Sequence, residues 1–163
     1  MKKFLPDFSS PSEMIQVGWE KLKKIPGGNK IFSTIVSKYI PYTGSVSPLV
    51  LSIENGQARV MLKDKRAVRN HLNCIHAIAL ANVGEFSTGL CLISQLPKTA
   101  MAILVKIEVE YLKKARGNLI SESLFQYAST TKNNEDLRIT ANVLDEKNEI
   151  VTKVHATWRI RLN

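Results

Sequence analysis

The alternation of apolar and polar residues changes period twice along this chain. Ser10-Pro11-Ser12-Glu13 reads as a capping box with proline at the first helical position, and Ile15, Trp19 and Leu22 follow at helical spacing until Pro26-Gly27-Gly28 interrupts them. A second amphipathic run sets Ile31, Phe32, Ile35, Val36 and Tyr39 on one face and stops before Pro41. From there the period is two. Residues 49–54 and 57–63 flank Asn55-Gly56, a pair whose tolerance of left-handed backbone favours a tight hairpin. Met101, Ile103, Val105, Ile107, Val109 and Tyr111 alternate with Lys106, Glu108 and Glu110, and further strands are expected over 119–131, 137–143 and 150–162. Between hairpin and long strands, residues 73–94 are apolar on nearly every side and free of proline until Pro97, which predicts a buried helix. The expected architecture is α+β. Two short helices over 1–40 form an N-terminal extension, and residues 41–163 form a domain with one long helix inside a six-stranded antiparallel sheet, two strands before it and four after.

Composition narrows the classes of partner. With 163 residues, 44% of them hydrophobic and 23% charged, the chain suits a single globular core and not a disordered segment. The surplus of 23 Lys and Arg over 14 Asp and Glu, +9, points to nucleic acid, an acidic membrane face or a phosphate-bearing small molecule. Residues 1–40 hold seven Lys against three acids, and no run of five like charges occurs anywhere. Elsewhere the basic residues gather as Lys63/Lys65/Arg66/Arg69 and Lys113/Lys114/Arg116, with no aromatic residue among them on which a base could stack, so nucleic acid is not expected as a partner. The lysine-rich helices at the start can touch a membrane surface, but packing on the main domain is the plainer expectation.

Met1 to Pro6 lacks the apolar stretch of a secretory signal, and residues 72–96 are broken by Asn82, Glu85 and Ser87, unlike a membrane span. Cys74 and Cys91 lie seventeen residues apart in what reads as one helix, so they point to different sides and are expected as reduced, buried thiols of a cytoplasmic protein. His71, His76 and His155 come with no Cys pair or His-x-x-x-His unit, and neither metal nor cofactor is expected.

Glu85 is the single acid within 72–96. Burying it unpaired costs several kcal/mol or raises its pKa, unless a strand supplies a lysine or arginine. Upstream, the polar run Arg69-Asn70-His71-Leu72-Asn73-Cys74-Ile75-His76 leads into the helix start at Ala77. The first N–H groups of a helix have no internal partner and carry the positive end of its dipole, so the Ala77 N–H can hold an oxyanion, flanked by Asn70 and His76. On a helix, nine residues separate His76 from Glu85 by about 13.5 Å along the axis and about 900° around it, which is opposite faces. One substrate atom can meet both only across two chains, so a homodimer is expected. Cys74 with His76 makes a poor nucleophilic pair, two residues apart at a helix start and in an apolar setting.

On these residues the chain resembles the hotdog-fold acyl-CoA thioesterases of the phenylacetate-pathway type. That family's pattern is an Asn, a His six residues later followed by Gly-Gly, and an acid nine residues after the His; Asn70, His76 and Glu85 keep both spacings. Tyr111-Leu112-Lys113-Lys114-Ala115-Arg116-Gly117 is similar to the turn after the family's third strand. The resemblance covers roughly residues 41–163, and the first forty are similar to a poorly characterised hotdog subgroup with a helical extension. Two departures stand out: Ala77-Ile78 replaces Gly-Gly, and Glu85 replaces the usual aspartate. The resemblance implies a helix wrapped by a sheet, and a homodimer, able to pair into a dimer of dimers, that shares its active sites. It gives Glu85 the role of base or nucleophile at a thioester carbonyl, the Ala77 N–H of the other protomer that of oxyanion donor, Asn70 the positioning of water or carboxylate, and His76 the bracing of the loop. Lys113, Lys114 and Arg116, with Lys65 and Arg66 behind them, would meet the phosphates of CoA, which arrives as part of an acyl-CoA substrate and not as a cofactor. Two other readings stay open: a hydroxyacyl thioester dehydratase of the same fold, using His71 and Glu85, and a non-catalytic fatty-acyl-binding protein.

Overall fold

The computed structural model describes residues 10–162, so the segment Met1 to Pro6 read above for a signal lies outside the described residues. Helix α1 (Pro11–Leu22) starts where the capping pattern requires: the Glu13 N–H donates to Ser10 Oγ at 3.1 Å, and Pro11 opens the first turn. Gly27, at φ 73°, turns the chain into α2 (Gly28–Tyr39), and a further five-residue helix, α3 (Pro41–Ser45), follows. Strands β1 (Leu49–Glu54) and β2 (Gln57–Leu62) are joined by Asn55 at φ 50° and Gly56 at φ 72°, the positive pair that a tight hairpin turn needs. Helix α4 (Ala77–Ile93) then precedes β3 (Met101–Tyr111), β4 (Leu119–Leu124), β5 (Asp136–Leu144) and β6 (Ile150–Arg161). All six strands form one antiparallel sheet in the order β1-β2-β4-β5-β6-β3, with α4 packed against β2, β4, β5 and β6. A side-chain carbon at Gly84 would run into Val154 of β6, so the absence of one lets helix and sheet close together.

The N-terminal helices share this core. Trp19 and Phe32 meet edge to face with centroids 5.2 Å apart, and both belong to one buried cluster with Val50, Val60, Val83, Phe86 and Leu90. The Val50 N–H donates to Ser33 Oγ at 2.8 Å, and Gln16 Nε2 donates to the Leu96 carbonyl at 2.8 Å, fastening α2 to the sheet and α1 to the turn after α4. No helix among the described residues is long and apolar enough to cross a membrane.

Four expectations need correction. Of the apolar run 73–94, only the part from Ala77 onward is helix, where the polar run ends, because Asn73 stands at φ 53° in a turn closed by Asn70. Cys74 therefore lies before the helix and not within it, although both cysteines are free and buried. Strand β4 ends at Leu124, well short of residue 131, because both neighbours run out there: Leu124 pairs with Gln57 at the hairpin turn, and β5 pairs no further than Ser123. Beyond it the Phe125 carbonyl accepts from Gln95 Nε2 at 3.0 Å. The apolar row of β3 is not continuous on one face. A bulge between Leu104 and Lys106 reverses the side-chain parity, so that Ala102 and Leu104 before it, and Ile107, Val109 and Tyr111 after it, stand opposite the buried Ile160, Trp158, Ala156, Val154 and Thr152 of β6. Met101 and Ile103 fall on the other face and stay exposed, and β3 is left as a sheet edge.

Candidate active site

The entry to α4 is built by local hydrogen bonding. Asn70 Oδ1 accepts from the Leu72 N–H at 2.9 Å and the Cys74 N–H at 3.2 Å, while the Asn70 N–H donates to the Cys74 carbonyl at 2.8 Å. The Ile75 N–H donates to Ala115 O at 2.9 Å and the His76 N–H to Val68 O at 2.8 Å, so the turn after β3 and the stretch after β2 both grip the helix start. His76 is the N-cap: its Nδ1 accepts from the Ile78 N–H at 3.1 Å, with the ring exposed. The Ala77 N–H has no acceptor among the described residues and leaves the helix along its axis, at the positive end of the dipole. Tyr111 closes the back of this turn, its hydroxyl donating to the Ala77 carbonyl at 3.1 Å.

Glu85 lies two turns further on, half-buried, and lines two cavities. One, of about 80 Å³, runs beneath it among Ile15, Val36, Ile40, Phe86 and Leu90. The other, of about 280 Å³, opens toward the β3 edge between Tyr42, Ile78, Asn82, Leu104 and Ile107, and Thr43 borders both. No lysine or arginine among the described residues reaches the Glu85 carboxyl, and burial alone pushes its pKa up to about 7. The same face leaves Ile78 53% exposed and Ile107 40% exposed, so the apolar walls of the larger cavity continue onto the open surface beside the unpaired edge of β3.

The two basic clusters, far apart in sequence, come together beside the helix start. Asp64 bridges them, accepting from Arg69 Nε at 2.6 Å and from the Gly117 N–H at 3.0 Å, and its own N–H donates to Asn118 Oδ1 at 3.2 Å. Arg69 is thereby paired. Lys113 is held by Asp145, at 2.8 Å, and by Glu149, which raise its pKa and occupy its charge. Lys65, Arg66, Lys114 and Arg116 have no acidic partner among the described residues.

Of the residues picked out in sequence, Asn70, His76 and Ala77 form one unit at the helix start, and Glu85 stands apart from it by about 12 Å of helix rise between Ala77 and Glu85. The Asn70 carbonyl oxygen is committed to the loop, which leaves its amide N–H groups for any ligand. His71 sits on the exposed turn and lines neither Glu85 cavity. Cys74 is buried, its thiol donating to the Leu72 carbonyl at 3.4 Å. Sequence reasoning missed Tyr42, Thr43 and Asn82: the first two line a cavity with Glu85 only through tertiary packing, and Asn82 stands in the sequence as no more than a polar break in the apolar run.

Residues 28–160 match the family described as Domain of unknown function (DUF4442). No curated protein matches the chain. Among solved structures, a structural-genomics crystal structure superposes with TM-score 0.78 at 24% identity, covering 93% of this chain and 98% of its own. A Pseudomonas aeruginosa protein of unknown function described as a "Probable Thioesterase" gives TM-score 0.72 at 15% identity, over 85% of this chain and 97% of its own. A Ralstonia eutropha protein described as phenylacetic acid degradation-related gives 0.63 at 12% identity, over 73% of this chain and 89% of its own. These likenesses show the hotdog fold.

Proposed function

The chain belongs to the DUF4442 family and has the hotdog fold, and from that premise we propose that it hydrolyses an acyl-CoA thioester to the free acid and CoA. The observation that carries this reading is Glu85: a carboxyl without a cationic partner, lining an apolar cavity, on the helix whose first N–H is unspent. With a pKa of about 7 it is partly ionised at neutral pH and still basic enough to take a proton from water. The water oxygen bonds to the thioester carbonyl carbon while its proton passes to Glu85. The carbonyl oxygen becomes an oxyanion, held by an Ala77 N–H. Collapse breaks the carbon–sulfur bond, and the departing CoA thiolate takes the proton back from Glu85.

Within one chain, Ala77 and Glu85 are too far apart to serve one carbonyl, so the working unit is a homodimer in which the Ala77 N–H comes from a second copy. The open edge of β3 and the exposed Ile78 and Ile107 support pairing at this side. Lys65, Arg66, Lys114 and Arg116 then meet the CoA phosphates at the helix start, with Lys113 contributing less because of its carboxylate partners. CoA enters as substrate and no cofactor is called for. The test is thiol release from a panel of aromatic, short-chain and long-chain acyl-CoA esters by the wild type, Glu85→Ala and Glu85→Gln. Release by the wild type and its loss in both variants supports the reading; equal slow release by all three overturns it, and points to an acyl-binding protein.

A further inference from the structure

Two polar side chains near Glu85 have no structural employment. Asn82 is 8% exposed, and its Oδ1 is buried without a hydrogen-bond partner. Buried amides are almost always paired, so an unpaired one marks a group held for something else. Of the three such atoms among the described residues, those of Trp19 and Thr152 lie elsewhere, and Asn82 alone borders a cavity that Glu85 also lines. Asn82 precedes Glu85 by three residues on α4, which places the two side chains next to one another on the same helix face. Thr43 is 5% exposed, borders both Glu85 cavities from α3, and its hydroxyl makes no hydrogen bond among the described residues. The remaining walls of the larger cavity are Ile78, Ala81, Leu104 and Ile107, with Tyr42 at its rim, 69% exposed.

A water molecule ordered in such a place needs two to four polar partners and room for itself. A cavity of about 280 Å³ has the room, and the half-buried Glu85 and the buried Asn82 and Thr43 are the polar groups inside its Tyr42 rim. Resting on the thioesterase reading above, we propose that Asn82 and Thr43 hold the water that Glu85 deprotonates, the amide and the hydroxyl fixing its oxygen while the carboxylate faces its proton. The consequence is that α3, outside the sheet-and-helix unit, supplies a working group to the site.

Asn82→Leu and Thr43→Val keep the shape of each side chain and remove its polar atoms, and Thr43→Ser restores the hydroxyl. Steady-state hydrolysis of the best acyl-CoA substrate is expected to show kcat lowered at least about tenfold in Asn82→Leu and in Thr43→Val, with KM within about threefold, and recovered in Thr43→Ser. The melting temperature of Asn82→Leu is expected at or above that of the wild type, because no structural hydrogen bond is lost. A lower melting temperature, or failure to fold, gives the Asn82 amide a structural partner and overturns its part. Unchanged kcat in Thr43→Val overturns that of Thr43. Hydrolysis abolished by Glu85→Gln but kept in both apolar variants overturns this assignment and leaves the thioesterase reading standing; no hydrolysis by the wild type overturns both.

Discussion

Replacing Glu85 by glutamine should stabilise the protein, and by an amount that depends on pH. In the folded chain the carboxyl titrates at about 7, against 4.5 for an ordinary glutamate, because burial disfavours its charged form. The folded state therefore binds the proton more tightly than the unfolded state does. Its contribution is complete below pH 4.5, is lost as pH rises from 4.5 to about 7, and stays lost above. At roughly 1.4 kcal/mol per unit, a rise from 4.5 to about 7 amounts to about 3 kcal/mol, an upper limit because water reaching the cavity shares the cost. Glutamine has nearly the same shape and never ionises. Glu85→Gln should match the wild type near pH 4.5 and exceed it above pH 8 by up to about 3 kcal/mol, or about 6–12 °C in melting temperature for a chain of this size. Thermal unfolding of both proteins from pH 4.5 to 9 measures the difference. Parallel curves, or a variant less stable than the wild type at pH 8, would show that a cation neutralises Glu85 and would refute the argument. The same ionisation should govern catalysis in the opposite sense: kcat/KM rises with pH to a plateau above about 7, so the enzyme gains its base where it loses stability.

The oxyanion donor can be removed without disturbing the helix. Ala77 is the first helical residue and His76 before it is extended, at φ −64° and ψ 139°, so Ala77→Pro fits the backbone and deletes the N–H; kcat should fall by about 10²–10³ with the melting temperature kept. Lys114→Ala with Arg116→Ala should raise KM for acyl-CoA about tenfold at unchanged kcat, and flatten the dependence of KM on salt, whereas Lys113→Ala should leave KM within about twofold. Gly84→Ala should cost about 1–3 kcal/mol in urea unfolding, because the added methyl meets Val154.

What the sequence made legible was local. Asn55-Gly56 announced its hairpin, Pro11 and Ser10 announced α1, and the apolar run after Ala77 announced a buried helix, because each is decided by neighbours in the chain. The bulge in β3 was not legible, since the alternation of Met101 to Tyr111 reads as one continuous face and only pairing with β6 reveals the change of parity. The apolar run reaches back to Asn73, four residues before the helix, because the Asn70 side chain and the Asn73 N–H are spent on a turn that apolar periodicity does not register. In the site, Glu85 was visible as a solitary acid, whereas the absence of a lysine or arginine beside it depends on how the strands pack around α4. The pairing of Lys113 with Asp145 and Glu149 depends on the β5–β6 turn and could not be read from its own cluster. Thr43 lines a cavity with Glu85 only because α3 folds back onto α4, a proximity no spacing encodes.

The central claim is that Glu85 of one chain and the Ala77 N–H of another act on the same thioester. Glu85→Gln and Ala77→Pro, each inactive alone, should complement when unfolded together and refolded as a mixture. At random pairing half the dimers are mixed, and each of these holds one site with both groups intact, so thiol release should return to about one quarter of the wild-type rate. A mixture no more active than either variant would contradict the shared site.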